Sequence, residues 1–202
     1  AQPVSRPGTG VAPMKAARIA VVGAGMAGLA CARALADAGL RPVVFDKGRG
    51  IGGRLATRRI EGGLQFDHGA QFVTASGPAF AAVLEGMKAS GTAAPWADGA
   101  NEDRFVGLPG MTGLAKHVGK GLDIRQNTEI ISVLRVEGQW MLQIGAENLP
   151  FDHVVLTAPA PQSLRLLGPK NELSRALATV EMAPCLTLMA AFASSAAVRG
   201  LI

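Results

Sequence analysis

The run Gly23-Ala24-Gly25-Met26-Ala27-Gly28 comes directly after Ile19-Ala20-Val21-Val22 and opens a segment of helical character. Four apolar residues in succession are the pattern of a strand buried on both faces. The helix read from Gly25 to Ala38 carries only two charges, Arg33 and Asp37, one turn apart and therefore on one stripe. That leaves Leu29, Ala30, Cys31, Ala32, Leu35 and Ala36 free to be buried. Gly39 suits the left-handed position after the last turn. Pro42-Val43-Val44-Phe45 reads as a second apolar strand, closed by Asp46. A strand, a helix and a strand within about 30 residues form a right-handed βαβ unit with parallel strands, which restricts the fold to the α/β class.

The three glycines divide the work of holding a dinucleotide. Gly23 permits the tight turn, Gly25 lets a pyrophosphate reach the backbone, and Gly28 lets helix and strand pack closely. The phosphates would rest on unpaired amides at the helix N-terminus. Asp46 stands 23 residues after Gly23, at the end of the next strand, where its carboxylate can accept both hydroxyls of an adenosine ribose. The competing reading is a glycine-rich turn in an unrelated α/β protein, which would need neither the strand, the helix nor the acid.

The residues after Asp46 bear on which dinucleotide is held. A nicotinamide-only domain would proceed into its next helix, whereas Lys47-Gly48-Arg49-Gly50-Ile51-Gly52-Gly53-Arg54 interleaves glycines with cations. Such a loop can wrap the pyrophosphate from a second side, Gly52 and Gly53 giving backbone access and Arg54 a forked cation. Lys47, Arg49, Arg54, Arg58 and Arg59 lie close together, but no aromatic residue is interleaved to stack bases. Phosphate binding is therefore favoured over nucleic acid or a merely solvated loop.

Composition excludes several other classes. Only 17% of the 202 residues are charged and 49% are hydrophobic, which rules out a disordered chain. Two cysteines, Cys31 and Cys185, show no framework spacing, so a disulfide-built secreted fold is disfavoured and a cytoplasmic location expected. Ile19 to Ala32, behind three basic residues, imitates an export signal, but Gly23, Gly25 and Gly28 interrupt it. The uncharged run Met182 to Val198 contains Pro184, Thr187, Ser194 and Ser195, so a buried strand through Leu186 to Phe192 is preferred to a membrane span.

Elsewhere the first thirteen residues read as a flexible leader and residues 54–75 as irregular. A helix is expected at 79–89, a loop at 90–103 containing Trp96, and a helix from Met111 to Val118 introduced by Pro109-Gly110. Strands are expected at 122–126, 128–136, 139–144 and 153–157, the second and third turning at Glu137-Gly138. Helices are expected from Pro161 to Leu167 and over 172–180.

The stretch RIAVVGAGMAGLACARALADAGLRPVVFDKGRGIGGR resembles the N-terminus of FAD-dependent oxidoreductases of the flavin amine oxidase superfamily. LATRR, FDHGAQFVTA, VGLPGMTGLAKHV, TEIISVLRVEGQWML, DHVVLTAPAPQ and MAPCLTLMAAF carry the likeness from about Arg18 to Phe192, nearest to its renalase-like bacterial branch of NAD(P)/FAD-dependent proteins. The resemblance implies a Rossmann-like FAD-binding domain of the GxGxxG type, a parallel sheet with a β-meander, joined to an incomplete α+β substrate domain. It divides the chain into a leader (1–15), two FAD-domain segments (16–75 and 109–160), a substrate or cap segment (76–108) and the start of the substrate domain (161–202).

It also implies site roles. Gly23, Gly25, Met26, Ala27 and Gly28 would face the pyrophosphate and Asp46 the adenosine ribose. Gly53 and Arg54 would hold the phosphate or ribityl side, and Gly69, Ala70 and Gln71 would approach the flavin ring. Ile130 would bracket adenine through its backbone, and Ala158 and Pro159 would line the cofactor. The broader superfamily often has Arg at the position of Gly50, whereas here Arg49 stands one place earlier. Relatives continue for over a hundred residues further, so the chain is expected to be a fragment whose strand near Leu186–Phe192 has unpaired edges and exposed apolar faces.

The expected function is that of an enzyme binding FAD non-covalently and taking a hydride at flavin N5 from an amine-like or dihydronicotinamide-like small molecule. No side chain is assigned a catalytic role. His68, beside Gly69, is read as ordering a loop rather than moving protons, His117 and His153 lack companion metal ligands, and Cys31 is a packing residue. Neither a nucleic-acid partner nor a membrane span is expected. The rivals are an NAD(P)-dependent dehydrogenase, marked by a helix directly after Asp46, and a non-catalytic nucleotide-binding fragment.

Overall fold

The computed structural model describes residues 17–96 and 103–192. Strand β1 (Ile19–Val22), helix α1 (Met26–Asp37) and strand β2 (Pro42–Phe45) form the expected βαβ unit, and all four residues of β1 are buried. With β7 (Asp123–Arg125) and β11 (His153–Leu156) they make a parallel sheet in the order β11-β1-β2-β7. Its register aligns Leu156, Val22, Phe45 and Arg125 in one row at the carboxyl ends.

Because side chains alternate along a strand, this sheet feeds two cores. Val21 and Val44 face one way, into a cluster with Leu29 and Ala32 of α1 and Leu114, Ala115 and Val118 of α3 (Thr112–Gly119). Ala20, Val22 and Phe45 face the other way, onto the antiparallel meander of β8 (Ser132–Val136), β9 (Gln139–Ile144) and β10 (Glu147–Phe151). There they meet Val133, Leu142 and Phe151, with the rings of Phe45 and Phe151 packed edge to face at 5.8 Å. Helices therefore cover one face of the sheet and the meander the other. Truncating a fully buried member such as Leu29 or Leu142 is worth about 2–5 kcal/mol.

Two short hairpins lie outside these layers. β3 (Thr57–Arg59) pairs with β4 (Gln65–Asp67), and β5 (Ala93–Pro95) with β6 (Phe105–Gly107). Helix α2 (Pro78–Ala89) stands between them in sequence, and α4 (Ala160–Leu167) and α5 (Ser174–Ala178) come after β11. No helix of the described residues is long and apolar enough to cross a membrane.

The structure departs from the sequence expectations in several places. β3, β4 and β5 lie in stretches that read as irregular or looped, and β6 just after one, since three-residue strands are too short to display a period. β10 has no strand signal because Pro150 sits in it; Pro is tolerated there because β10 is the outer strand of its sheet. The strand expected from residue 128 begins only at Ser132, since the amides of Asn127 and Thr128 donate instead to the carbonyls of Gly48 and Asp46. Ala30 is exposed rather than packed. Leu186 to Phe192 is neither a strand nor buried: Leu186 is 97% and Leu188 92% exposed. Among the described residues no strand pairs with that segment; the Thr187 hydroxyl ties it to the chain just after β4 by donating to the His68 carbonyl. The leader and the end of the run to Val198 lie outside the described residues.

Candidate cofactor site

Beyond the aligned strand ends come Thr157, Gly23, Asp46 and Gln126. The chain leaves β1 toward β2 on one side, while β11 lies on the other, so a crevice opens at Gly23 where the strand order reverses. Open parallel sheets bind ligands at this point.

The two later glycines of the turn answer different demands. A Cβ on Gly28 would lie 1.9 Å from the Gly23 carbonyl oxygen, so helix-to-turn packing alone excludes any side chain. Gly25 has an ordinary extended backbone, φ −74° and ψ 175°, and a Cβ there would meet nothing within 4 Å. Among the described residues nothing requires glycine at 25. Gly25 is the residue directly before α1, whose first amides lack intrahelical acceptors and receive no side-chain cap. An anion is what such a cradle fits.

Asp46 holds the turn in place. Its Oδ2 accepts the Ala24 amide at 2.6 Å and its Oδ1 the Gly48 amide at 2.7 Å. Each carboxylate oxygen has a second lone-pair direction, so capacity remains for ribose hydroxyls. Instead of a helix, residues 47–50 form bends, and the loop turns back so that the Gly52 amide donates to the Ala24 carbonyl at 2.8 Å. Gly53 then rests against Gly25, its Cβ position 3.2 Å from the Gly25 α-carbon. The feature expected of a nicotinamide-only domain, a helix directly after Asp46, is absent.

The other named residues gather unevenly. The Ala70 amide donates to the Arg54 carbonyl at 2.8 Å, and a Cβ on Gly69 would lie 2.0 Å from that same oxygen. Gly69 and Ala70 thus stand against the glycine loop, with exposed Gln71 next in the chain. The Ala158 amide is 3.5 Å from the Cβ position of Gly23, and Pro159 caps α4. Ala27, Lys47, Arg49, Gly53 and Arg54 are exposed around the groove, whereas Met26 packs against the first core. The Ile130 side chain is buried in the second core, leaving its backbone beside the Asn127–Thr128 segment that bonds Gly48 and Asp46.

Some organising residues lie in the stretches that carry the resemblance but have no role assigned from the sequence. The Thr157 hydroxyl lies under the turn, 3.0 Å from the Val22 and 3.2 Å from the Gly23 carbonyl. Asp67 Oδ1 accepts the Thr57 hydroxyl at 2.5 Å and the Met111 amide at 3.0 Å, while Thr57 donates its amide to the Thr112 hydroxyl at 2.8 Å. This network ties the β3–β4 hairpin to the start of α3 and so fixes the approach of residues 68–71. His117 Nδ1 is shared by the hydroxyls of Ser90 and Thr92, each at 3.1 Å, and no cluster of metal-ligating side chains exists among the described residues. A cleft of about 470 Å³ beneath α4 and α5, lined by Trp140, Leu156 and Leu177, reaches Ala158 but is lined by neither Gly25 nor Asp46.

Gly69→Ala tests the loop contact directly. The added methyl must displace Arg54, so the variant is expected to lose about 1–3 kcal/mol of stability in a denaturant titration. An unchanged midpoint would mean that the two segments do not touch.

Comparison with known proteins supplies the identity. Residues 21–86 match the NAD(P)-binding Rossmann-like domain family and residues 96–198, just over half of the chain, match the flavin containing amine oxidoreductase family. The chain belongs to the flavin containing amine oxidoreductases, and its cofactor is FAD. The 15-cis-phytoene desaturase of Synechococcus elongatus is 44% identical over 52 residues, 26% of this chain and 11% of that protein. A provisionally named protoporphyrinogen oxidase from Exiguobacterium sp. 255-15 superposes with a TM-score of 0.65 at 15% identity, over 82% of this chain and 64% of its own. A putrescine oxidase double mutant superposes with a TM-score of 0.63 at 16% identity, over 79% of this chain and 62% of its own. The matches therefore span less than two thirds of each relative. These structures share the fold.

Proposed function

We propose that this flavin containing amine oxidoreductase binds FAD non-covalently across the carboxyl edge of its parallel sheet and oxidises an amine-like or dihydronicotinamide-like small molecule, which gives up a hydride. The observation that carries the reading is the open Cβ position at Gly25, directly before a helix start that no side chain caps and flanked by the Gly52-Gly53 loop. When bound, FAD supplies the two-electron redox chemistry. The chain's own residues bind and orient. Gly25 and the first amides of α1 receive the pyrophosphate, with Gly53 and Arg54 closing over it. Asp46 accepts from the ribose while its backbone bonds keep the carboxylate directed at the turn. Gly69, Ala70 and Gln71 stand on the flavin side, where the hairpin network keeps them in place.

In the same reading residues 16–75 and 109–160 form the FAD-binding domain, with 76–108 and 161–202 on the substrate side. The DHGAQFVTA segment favours the renalase-like branch. The free thiols of Cys31 and Cys185 suit the cytoplasm.

Titration with FAD tests the proposal. Protein freed of small molecules is expected to quench FAD fluorescence and to elute yellow, with a flavin absorption spectrum. NADH, NADPH or an amine added without oxygen should bleach the colour. A protein that stays colourless in excess FAD yet binds NAD would support the dehydrogenase alternative.

A further inference from the structure

His68 presents a buried nitrogen that the fold itself does not satisfy. Its Nδ1 has no hydrogen-bond partner among the described residues, while Oδ1 of the neighbouring Asp67 accepts from Thr57 and Met111. Buried polar atoms in folded proteins are almost always paired, so an unpaired one calls for an explanation. The backbone around it is held on two sides. The His68 carbonyl accepts the Thr187 hydroxyl at 2.9 Å, and Gly69 and Ala70 are pressed against the Arg54 carbonyl. Arg54 in turn comes after Gly53, which touches Gly25. An imidazole nitrogen shielded from water thus sits one residue from the segment that packs against the glycine loop.

We propose that His68 Nδ1 makes a hydrogen bond to the flavin half of bound FAD. This rests on the FAD reading above. An imidazole nitrogen can donate or accept according to its tautomer, so it suits either a ring nitrogen or carbonyl or a ribityl hydroxyl. The proposal makes His68 a cofactor contact and assigns it no proton transfer.

The full chain is compared with His68→Leu, His68→Asn and His68→Gln in FAD titrations, ADP titrations and thermal unfolding without ligand. Leucine removes the unpaired atom, so the ligand-free protein should melt at or above the wild-type temperature. It should nevertheless bind FAD about tenfold more weakly, as expected for one lost hydrogen bond, with ADP affinity within about twofold. Asparagine puts an amide near the position of Nδ1 and should keep FAD affinity within about threefold, whereas glutamine, whose amide lies at the Nε2 position, should not. A shift in the visible spectrum of bound flavin in the leucine variant would agree. If leucine binds FAD like the wild type, or loses FAD and ADP alike, or if asparagine fares no better than glutamine, the proposal is overturned; a buried water as partner gives the first outcome. Should the leucine variant not fold, asparagine against glutamine decides. A wild-type chain that binds ADP but not FAD overturns the FAD reading as well.

Discussion

Gly25→Val is expected to fold like the wild type and to lose FAD binding by at least a hundredfold. The backbone at 25 is extended with negative φ, a conformation open to any residue, and the Cβ direction leads into space free of protein atoms to 4 Å. Folding therefore has little to lose, and a melting temperature within a few degrees of wild type corresponds to less than about 1 kcal/mol. The pyrophosphate has much to lose, because a branched side chain would occupy the approach to the α1 amides. A hundredfold weakening is about 2.7 kcal/mol, modest for displacing an anion from several amide donors. Gly28→Ala is the control with the opposite signature: its methyl meets the Gly23 carbonyl and should destabilise the protein before any ligand is added. Equal FAD affinity for Gly25→Val and wild type, or equal thermal damage in the two variants, would defeat the assignment of Gly25 to the ligand.

Asp46→Ala should lower stability and FAD affinity together. Two backbone amides, from Ala24 and Gly48, would lose a charged acceptor, each bond worth about 1.5–3 kcal/mol. Water reaches this half-buried site and recovers part of that, so a net loss of about 2 kcal/mol in a urea titration is expected. FAD should bind about a hundredfold more weakly, because the ribose hydroxyls lose their acceptor and the turn its brace. Asp46→Asn keeps one carbonyl oxygen and should fall between. Unchanged FAD affinity in the alanine variant would remove the ribose role; unchanged stability would remove the bracing role.

Local signals are the legible ones. Ile19 to Val22 announces a strand buried on both faces because each of its residues is covered, by helices on one side and by the meander on the other. The Gly23–Gly28 spacing and Asp46 announce a dinucleotide turn because turn, helix start and strand end are all made within about 30 residues of chain. The GRGIGGR loop is legible for the same reason, since glycines stand where a helix would otherwise succeed the second strand.

The hidden features depend on residues distant in sequence. The closeness of Gly69 to Arg54 exists only once the β3–β4 hairpin has been pinned to α3 by Asp67 and Met111. The Thr157 hydroxyl reaches Gly23 only because β11 pairs beside β1, more than 130 residues away. β10 exists because β9 offers it a partner, against the preference of Pro150. At Leu186–Phe192 an apolar pattern found no strand to pair with among the described residues and formed none. The sequence by itself determined the βαβ unit, the phosphate turn and the class of ligand they suit, since those arise from backbone freedom and short-range periodicity. The tertiary structure alone decided which carbonyl meets which amide across the loops, and that Gly28 serves packing while Gly25 stands open, because those depend on distances that no spacing along the chain contains.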